Sequence, residues 1–174
     1  MILLTILTCI MYFLANGFTY HIGTEMDLCG PPLKDVLHDV LPDLSRWVYA
    51  RDALLIFFMI PVLFVKNKVS FILEFWDRFM LIVAFKAICI FFTFLPPSNP
   101  DCAQKKYLNH CFHNAVSGHT AFALLLAIMY TRFYPSIYLY IIVGLYCIFI
   151  LMTRAHYTKD ILEAVIMTTL VTAG

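Results

Sequence analysis

Two short stretches in the later part of this 174-residue sequence hold side chains suited to phosphate chemistry. The first is Val116-Ser117-Gly118-His119-Thr120, where an apolar run begins. Ser117 is a good helix N-cap, and Gly118 lets another group approach the backbone closely. The free N–H groups and positive dipole end of such a helix form a cradle for an anion, with His119 at its rim. The second stretch is His156-Tyr157-Thr158-Lys159-Asp160. Its i, i+4 spacing predicts that His156 and Asp160 share a helical face. A carboxylate that takes the N–H of one ring nitrogen leaves the other with a basic lone pair, as a nucleophilic histidine requires. Arg154, two residues earlier, is placed to clamp phosphate oxygens. A lone histidine at a helix start is more often a cap, and His-x-x-x-Asp alone is a weak signal. The conjunction of the two stretches carries the functional reading.

The elements that must position these residues are membrane helices. Of the residues, 62% are hydrophobic and 13% charged, against roughly 25% charged in an ordinary soluble domain. The net charge of +1 excludes the basic balance of a nucleic-acid binder. A spanning helix needs about 20 mostly apolar residues. Met1–Tyr20, Trp47–Val65, Phe79–Leu95, Thr120–Tyr134 and Ser136–Met152 meet or approach that length, and a shorter sixth stretch runs from Asp160 to Gly174. The expectation is an all-α polytopic membrane helix bundle of about six transmembrane helices, forming a single catalytic domain over residues 1–174. Met1–Tyr20 lacks the basic n-region of a signal peptide and reads as an uncleaved helix.

Connections are expected at His21–Arg46, Lys66–Arg78, Pro96–Gly118, Tyr130–Pro135 and Thr153–Lys159. The first, third and last of these emerge on one membrane face. That face holds His21, His38, His110, His113, His119 and His156 and most of the acidic residues. Ionisable groups gathered on one face of a bundle mark a reactive pocket or a cap over one, although wet loops are polar in any case. Lys66, Lys68 and Arg132 occupy the short opposite loops, so the positive-inside bias places the histidine face on the lumenal or exoplasmic side. Cys9, Cys89 and Cys147 fall in helices as small apolar residues. Cys29, Cys102 and Cys111 lie in the long loops, where an oxidising compartment would allow one disulfide. His110-Cys111-x-His113 lacks a four-ligand zinc set, and no metal or other cofactor is expected. Lys86 is either a lysine snorkelling from near a helix end or, as preferred here, a phosphate partner.

These residues together resemble the type 2 phosphatidic acid phosphatase superfamily, and within it the sphingomyelin synthase branch. Ser117-Gly118-His119 is similar to that superfamily's second motif and His156 to Asp160 to its third, in the His-Tyr-Thr-x-Asp form of the synthases. The resemblance implies that His156 attacks phosphorus to give a phosphohistidine, that Asp160 orients it, and that His119 protonates the leaving alkoxide. Leu41-Pro42-Asp43 is similar to the synthases' Pro-Leu-Pro-Asp element. Lys86, Thr93 and Leu95-Pro96 match the spacing of an Arg, Thr and Leu-Pro in their third helix, with lysine in the place of arginine. The phosphatases' Lys-x6-Arg-Pro is only half present, since Thr93-Phe94 replaces Arg-Pro. Ile150 stands where their third motif carries an arginine. Both differences favour the transferase branch.

The resemblance thus implies a lipid phosphotransferase moving phosphocholine or phosphoethanolamine from a glycerophospholipid donor to a lipid alcohol such as ceramide or diacylglycerol. Lys86, Ser117, Gly118 and Arg154 would hold the phosphate or headgroup. Its partners would be membrane lipids, with no nucleic acid. A lipid-phosphate phosphatase and a non-enzymatic lipid-binding membrane protein are the competing expectations.

Overall fold

The computed structural model describes residues 2–25, 31–93, 95–96, 98 and 115–173, and every regular element among them is helical. Seven α-helices follow in order: α1 (Ile2–Glu25), α2 (Val36–Val40), α3 (Val48–Phe57), α4 (Lys68–Phe92), α5 (Gly118–Thr131), α6 (Ile137–Met152) and α7 (Thr158–Ala173). Short 3-10 turns at Ser45–Trp47 and Ile60–Phe64 flank α3.

Local chemistry sets the boundaries. Pro61 in the second 3-10 turn has no N–H to donate, and its ring crowds the carbonyl four residues back, so α3 cannot run on as one α-helix. Asn67 opens α4 by accepting the N–H of Ser70 at 3.2 Å. The expected connection at Lys66–Arg78 is therefore corrected: from Lys68 onward it is helix. Its charges do not break α4, because Glu74 takes Arg78 at 3.1 Å one turn on and Arg132 of the α5–α6 turn at 3.0 Å. The connection expected from His21 likewise begins later, since α1 continues to Glu25.

α5 is the central helix. Ala121, Ala123, Leu124, Leu125, Leu126, Ala127 and Met129 are all buried, as expected of a helix that is apolar all round. Its alanines, with Ala164 of α7, let helices approach closely; between lipid-solvated helices, packing of this kind is the main source of adhesion. α1 lies along α4, with Ala15 against Ala87 and Ile90, and Trp76 Nε1 donating to Thr5 Oγ1 at 3.0 Å. Phe75, Phe79 and Phe122 close the contact between α4 and α5 with edge-on ring pairs 5.0 and 5.4 Å apart.

The outside is as apolar as the inside. Ile2, Leu3, Phe13 and Leu14 of α1 and Ile137, Ile141, Ile142 and Leu145 of α6 are exposed, while Lys86, His156, Asp160 and several threonines are buried. That distribution suits a hydrocarbon solvent. Two helical stretches, Ile2–Gly23 and Ser45–Phe64, are long and apolar enough to cross a membrane; α5 and α6 are shorter apolar helices.

The two ends of the bundle differ. At one end Arg78 Nη1 donates to Val171 O at 2.7 Å and Arg132 Nη2 to Thr172 O at 3.3 Å, so two cations meet the negative dipole end of α7. At the other end the start of α3, the later part of α4 and the starts of α5 and α7 converge with the turn after α6. Both candidate motifs lie there.

Candidate active site

Ser117 caps α5, its Oγ accepting the N–H of Thr120 at 3.3 Å. Its own N–H donates to the carbonyl of Asp160 at 2.9 Å. A single main-chain bond thus joins the first motif to the second and fixes the relative position of the two helix starts. Gly118 has an ordinary negative φ, so strain does not explain a glycine here. Space gives a better account. A Cβ at this position would stand 3.7 Å from Lys86 Nζ and meet nothing else within 4 Å. The ammonium of Lys86 and the first N–H groups of α5 therefore face one small volume.

Lys86 lies six residues before the end of α4, about 9 Å by helix rise. It is 7% exposed, so it does not snorkel to water but faces protein at the start of α5. The charges acting on it are those of Asp160 and Arg51.

His156 precedes α7 and does not sit on it, which corrects the expectation of a shared helical face. The His156–Asp160 pair forms all the same, by a different local device. Tyr157 is the N-cap of α7 and Asp160 its third residue, so the Asp160 side chain turns back as in a capping box and accepts the Tyr157 N–H at 3.0 Å. The same oxygen, Oδ2, lies 3.2 Å from His156 Nδ1. The other, Oδ1, pairs with Lys159 Nζ at 2.9 Å. With Nδ1 directed at the carboxylate, Nε2 is the nitrogen of His156 left with its lone pair. Burial pushes the His156 pKa below its ordinary value; the Asp160 bond and charge oppose this, and the cations Lys86 and Arg51 reinforce it. The ring is therefore neutral at physiological pH, as a nucleophile must be.

The turn carrying His156 is gripped by the segment before α3. Asp35 accepts Thr158 N–H and Thr158 Oγ1–H, both at 2.6 Å, while also capping α2 through the Leu37 N–H. Burial raises the Asp35 pKa, but the Thr158 bonds and the charge of His38 outweigh it and hold the carboxyl below its usual range. His38 Nε2 donates to the His156 carbonyl at 3.0 Å, and its ring stacks on Tyr157 with centroids 5.8 Å apart. Burial lowers the His38 pKa, against the opposing charge of Asp35. Tyr157 Oη accepts the Leu33 N–H at 2.9 Å and donates to Pro96 O at 3.0 Å. Leu44 N–H reaches Met152 O at 2.7 Å.

Arg154, expected on phosphate, is engaged in this grip. Its Nη2 donates to Leu41 O at 3.1 Å and its Nε is 3.8 Å from Asp43 Oδ2. The Ser45 N–H holds the Asp43 carboxyl below its usual range against slight burial, and Arg154 adds to this. Leu41-Pro42-Asp43 thus meets the chain just before His156. Arg154 also ends α6 in the left-handed region, φ 54°, a conformation in which a non-glycine residue is uncommon and somewhat strained.

His119 points across to α3. Its Nε2 lies 2.8 Å from Asp52 Oδ1, and Arg51 holds the same oxygen through Nη2 at 2.7 Å and Nε at 2.9 Å. Arg51 is anchored in turn, since Tyr146 Oη donates to its carbonyl at 2.9 Å. Neither Arg51 nor Asp52 was anticipated from motif spacing. The available signal was an adjacent cation and anion inside an otherwise apolar stretch, which is costly in a membrane unless the pair serves a wet cavity.

His119, His156, Asp160, Lys86, Ser117 and Gly118 are therefore drawn to one end of the bundle, with Arg51 and Asp52 added and Arg154 diverted to the neighbouring grip. His110, His113, Cys29, Cys102 and Cys111 lie outside the described residues, so the loop disulfide and the zinc alternative do too. Cys9, Cys89 and Cys147 are free thiols. No cluster of metal-ligating side chains occurs among the described residues.

Residues 110–173 match the family model described as PAP2 superfamily C-terminal, which spans both motifs. That segment, 64 of the 174 residues, is thus similar to the C-terminal part of the superfamily. No match is found among curated proteins or among solved structures.

Proposed function

From that superfamily segment as premise, we propose that the chain is a lipid phosphotransferase acting through phospho-His156. The observation that carries the reading is the His156–Asp160 pair fastened to the anion cradle of α5 by the Ser117–Asp160 main-chain bond. His156 Nε2 attacks the phosphorus of a glycerophospholipid, and the lipid alkoxide leaves with a proton from His119. A lipid alcohol, ceramide or diacylglycerol, then takes the phospho-headgroup from His156. Lys86, the first N–H groups of α5 and Arg51 neutralise the phosphate oxygens. Ser117 acts by capping α5, and Gly118 by leaving the cradle open. The synthase-like Lys86, Thr93 and Leu95-Pro96 pattern, with Ile150 in the place of the phosphatase arginine, favours a lipid acceptor over water. The bundle is read as a six-span domain with this site on the lumenal or exoplasmic side.

The phosphatase alternative uses the same intermediate with water as acceptor, so a partition ratio separates the two. Purified protein is given labelled phosphatidylcholine or phosphatidylethanolamine with ceramide or diacylglycerol, and transferred headgroup is counted against free phosphocholine or phosphoethanolamine. Positioning a bound acceptor is worth effective molarities of about 10⁵ M or more, well above that of water. Transfer is expected to dominate; dominant hydrolysis with every acceptor offered would establish the phosphatase reading. Loss of all turnover in His156→Ala is expected in either case; an alanine variant that keeps wild-type turnover would refute the phosphohistidine route, and a wild-type protein without turnover would leave the non-enzymatic reading.

A further inference from the structure

Asp52 belongs to neither motif, yet it is the carboxylate in contact with the His119 ring. The charged and titratable groups around that ring are Arg51 and Asp52 on α3, His156 in the turn before α7, Lys86 on α4 beside Gly118, and Asp160, whose carbonyl binds Ser117. The Asp52 side chain is 52% exposed, and an ion pair so exposed adds little to stability. Stability therefore gives little reason for three N–H groups to converge on one oxygen, Oδ1. Orientation gives a better one. A carboxylate fixed by a guanidinium and bound to Nε2 sets the plane and tautomer of the imidazole, leaving Nδ1 as the nitrogen that exchanges a proton.

We infer that Asp52, held by Arg51, is the positioning residue of His119, making a second acid–base dyad opposite His156–Asp160. The inference rests on the phosphotransferase reading above. In the first half-reaction the His156 Nε2 lone pair forms the N–P bond as the P–O bond to the diacylglycerol oxygen breaks. The bonding pair stays on that oxygen, which takes the proton of His119 Nδ1. In the second half the acceptor oxygen bonds to phosphorus, the N–P pair returns to His156, and the acceptor proton passes to Nδ1. His119 cycles between imidazolium and neutral ring, and Asp52 opposes the burial and the Arg51 and His156 charges that disfavour the imidazolium. Asp52 also keeps Nδ1 aimed at the lipid oxygens.

The test compares two donors in Asp52→Asn. Phosphatidylcholine expels an alkoxide that needs a proton, whereas p-nitrophenyl phosphocholine expels a nitrophenolate that does not. Turnover of phosphatidylcholine is expected to fall about 10²-fold, in kcat more than in KM. The first burst of nitrophenolate should stay close to wild type, and Asp52→Glu should recover part of the loss. An equal fall on both donors, or no fall on either, overturns the dyad. Asp52→Ser carries the same comparison should the amide variant not fold. A wild-type protein inert on both donors would defeat the phosphotransferase reading itself and the dyad with it, a result distinct from the other two.

Discussion

Asp160 Oδ2 serves both the His156 ring and the Tyr157 N–H, and that double use decides what an amide would do there. In Asp160→Asn, Lys159 Nζ holds the carbonyl oxygen at the Oδ1 position, so the NH₂ takes that of Oδ2 and the Tyr157 N–H loses its acceptor. The NH₂ then faces His156 Nδ1 and favours the tautomer with its proton on Nε2, which removes the nucleophilic lone pair. Activity should fall about 10³–10⁴-fold, with a loss of about 0.5–2 kcal/mol in stability from the missing cap; a near-normal rate would reduce Asp160 to a helix cap. Gly118→Ala gives the converse case. Alanine suits a helix better by up to about 1 kcal/mol, and the added methyl meets only Lys86 Nζ. The variant should fold at least as well, yet lose about 10²-fold in turnover as the methyl enters the phosphate volume. Equal activity would show that phosphate does not sit between Lys86 and α5. The His156 pKa fixes a pH effect as well. It lies below 6.5 in the folded protein, so the lone pair is present above that lowered value and lost as pH falls through it. The acid limb of kcat/KM should therefore lie below pH 6.5; a limb centred above it would contradict a buried, neutral nucleophile.

Between elements, the grip of the segment before α3 on the turn before α7 is the contact most open to measurement. Asp35→Ala removes two bonds to Thr158 and the cap of α2. Such caps are worth about 0.5–2 kcal/mol each, so a drop in thermal stability should accompany reduced kcat as the His156 turn loosens. Unchanged kcat would mean that the turn holds its shape alone. The sequence made the capping serine, the Lys86 register and the His156–Asp160 pairing legible, because each depends on local spacing. It did not reveal that His156 precedes its helix, since i, i+4 spacing is satisfied by a helical face and by a capping side chain alike. Arg51–Asp52 and Asp35 escaped for a different reason: their partners, His119 and Thr158, are remote in sequence. Lys66–Arg78 read as a connection because its charges were counted singly. In the fold Glu74 pairs with both Arg78 and Arg132, and the helix runs through.

For the molecule as a whole, the informative feature is a small buried charged cluster in a bundle whose exterior is apolar. Lys86, His156 and Asp160 are buried while the outward residues of α1 and α6 are isoleucine, leucine and phenylalanine. A protein so arranged should stay in the membrane pellet after carbonate extraction and require detergent for release; recovery in the soluble fraction would refute the membrane reading. The all-helical class was readable from hydropathy, because an apolar run in lipid satisfies its backbone as a helix. Which helix would be central was not, since α5 and α6 are similarly apolar and only packing distinguishes them.

The grip around His156 also bears on how the protein is made. Its bonds from Leu33, Asp35, His38 and Leu41 join residues 113 to 124 positions apart. Synthesis and insertion proceed from the N-terminal end, so the segment at residues 33–44 leaves the ribosome long before the turn it will hold. Through that interval α1, α3 and α4 can assemble in the bilayer while Asp35, His38 and Leu41 await partners. Ribosome-arrested chains that end before Thr158 should already be membrane-inserted yet catalytically silent. Extension past Asp160, with enough chain to clear the exit tunnel and dock α7, should switch activity on in a single step. The long-range clasp would then act as a checkpoint in biogenesis, withholding a phosphate-reactive histidine from the membrane until the pocket that governs it is complete.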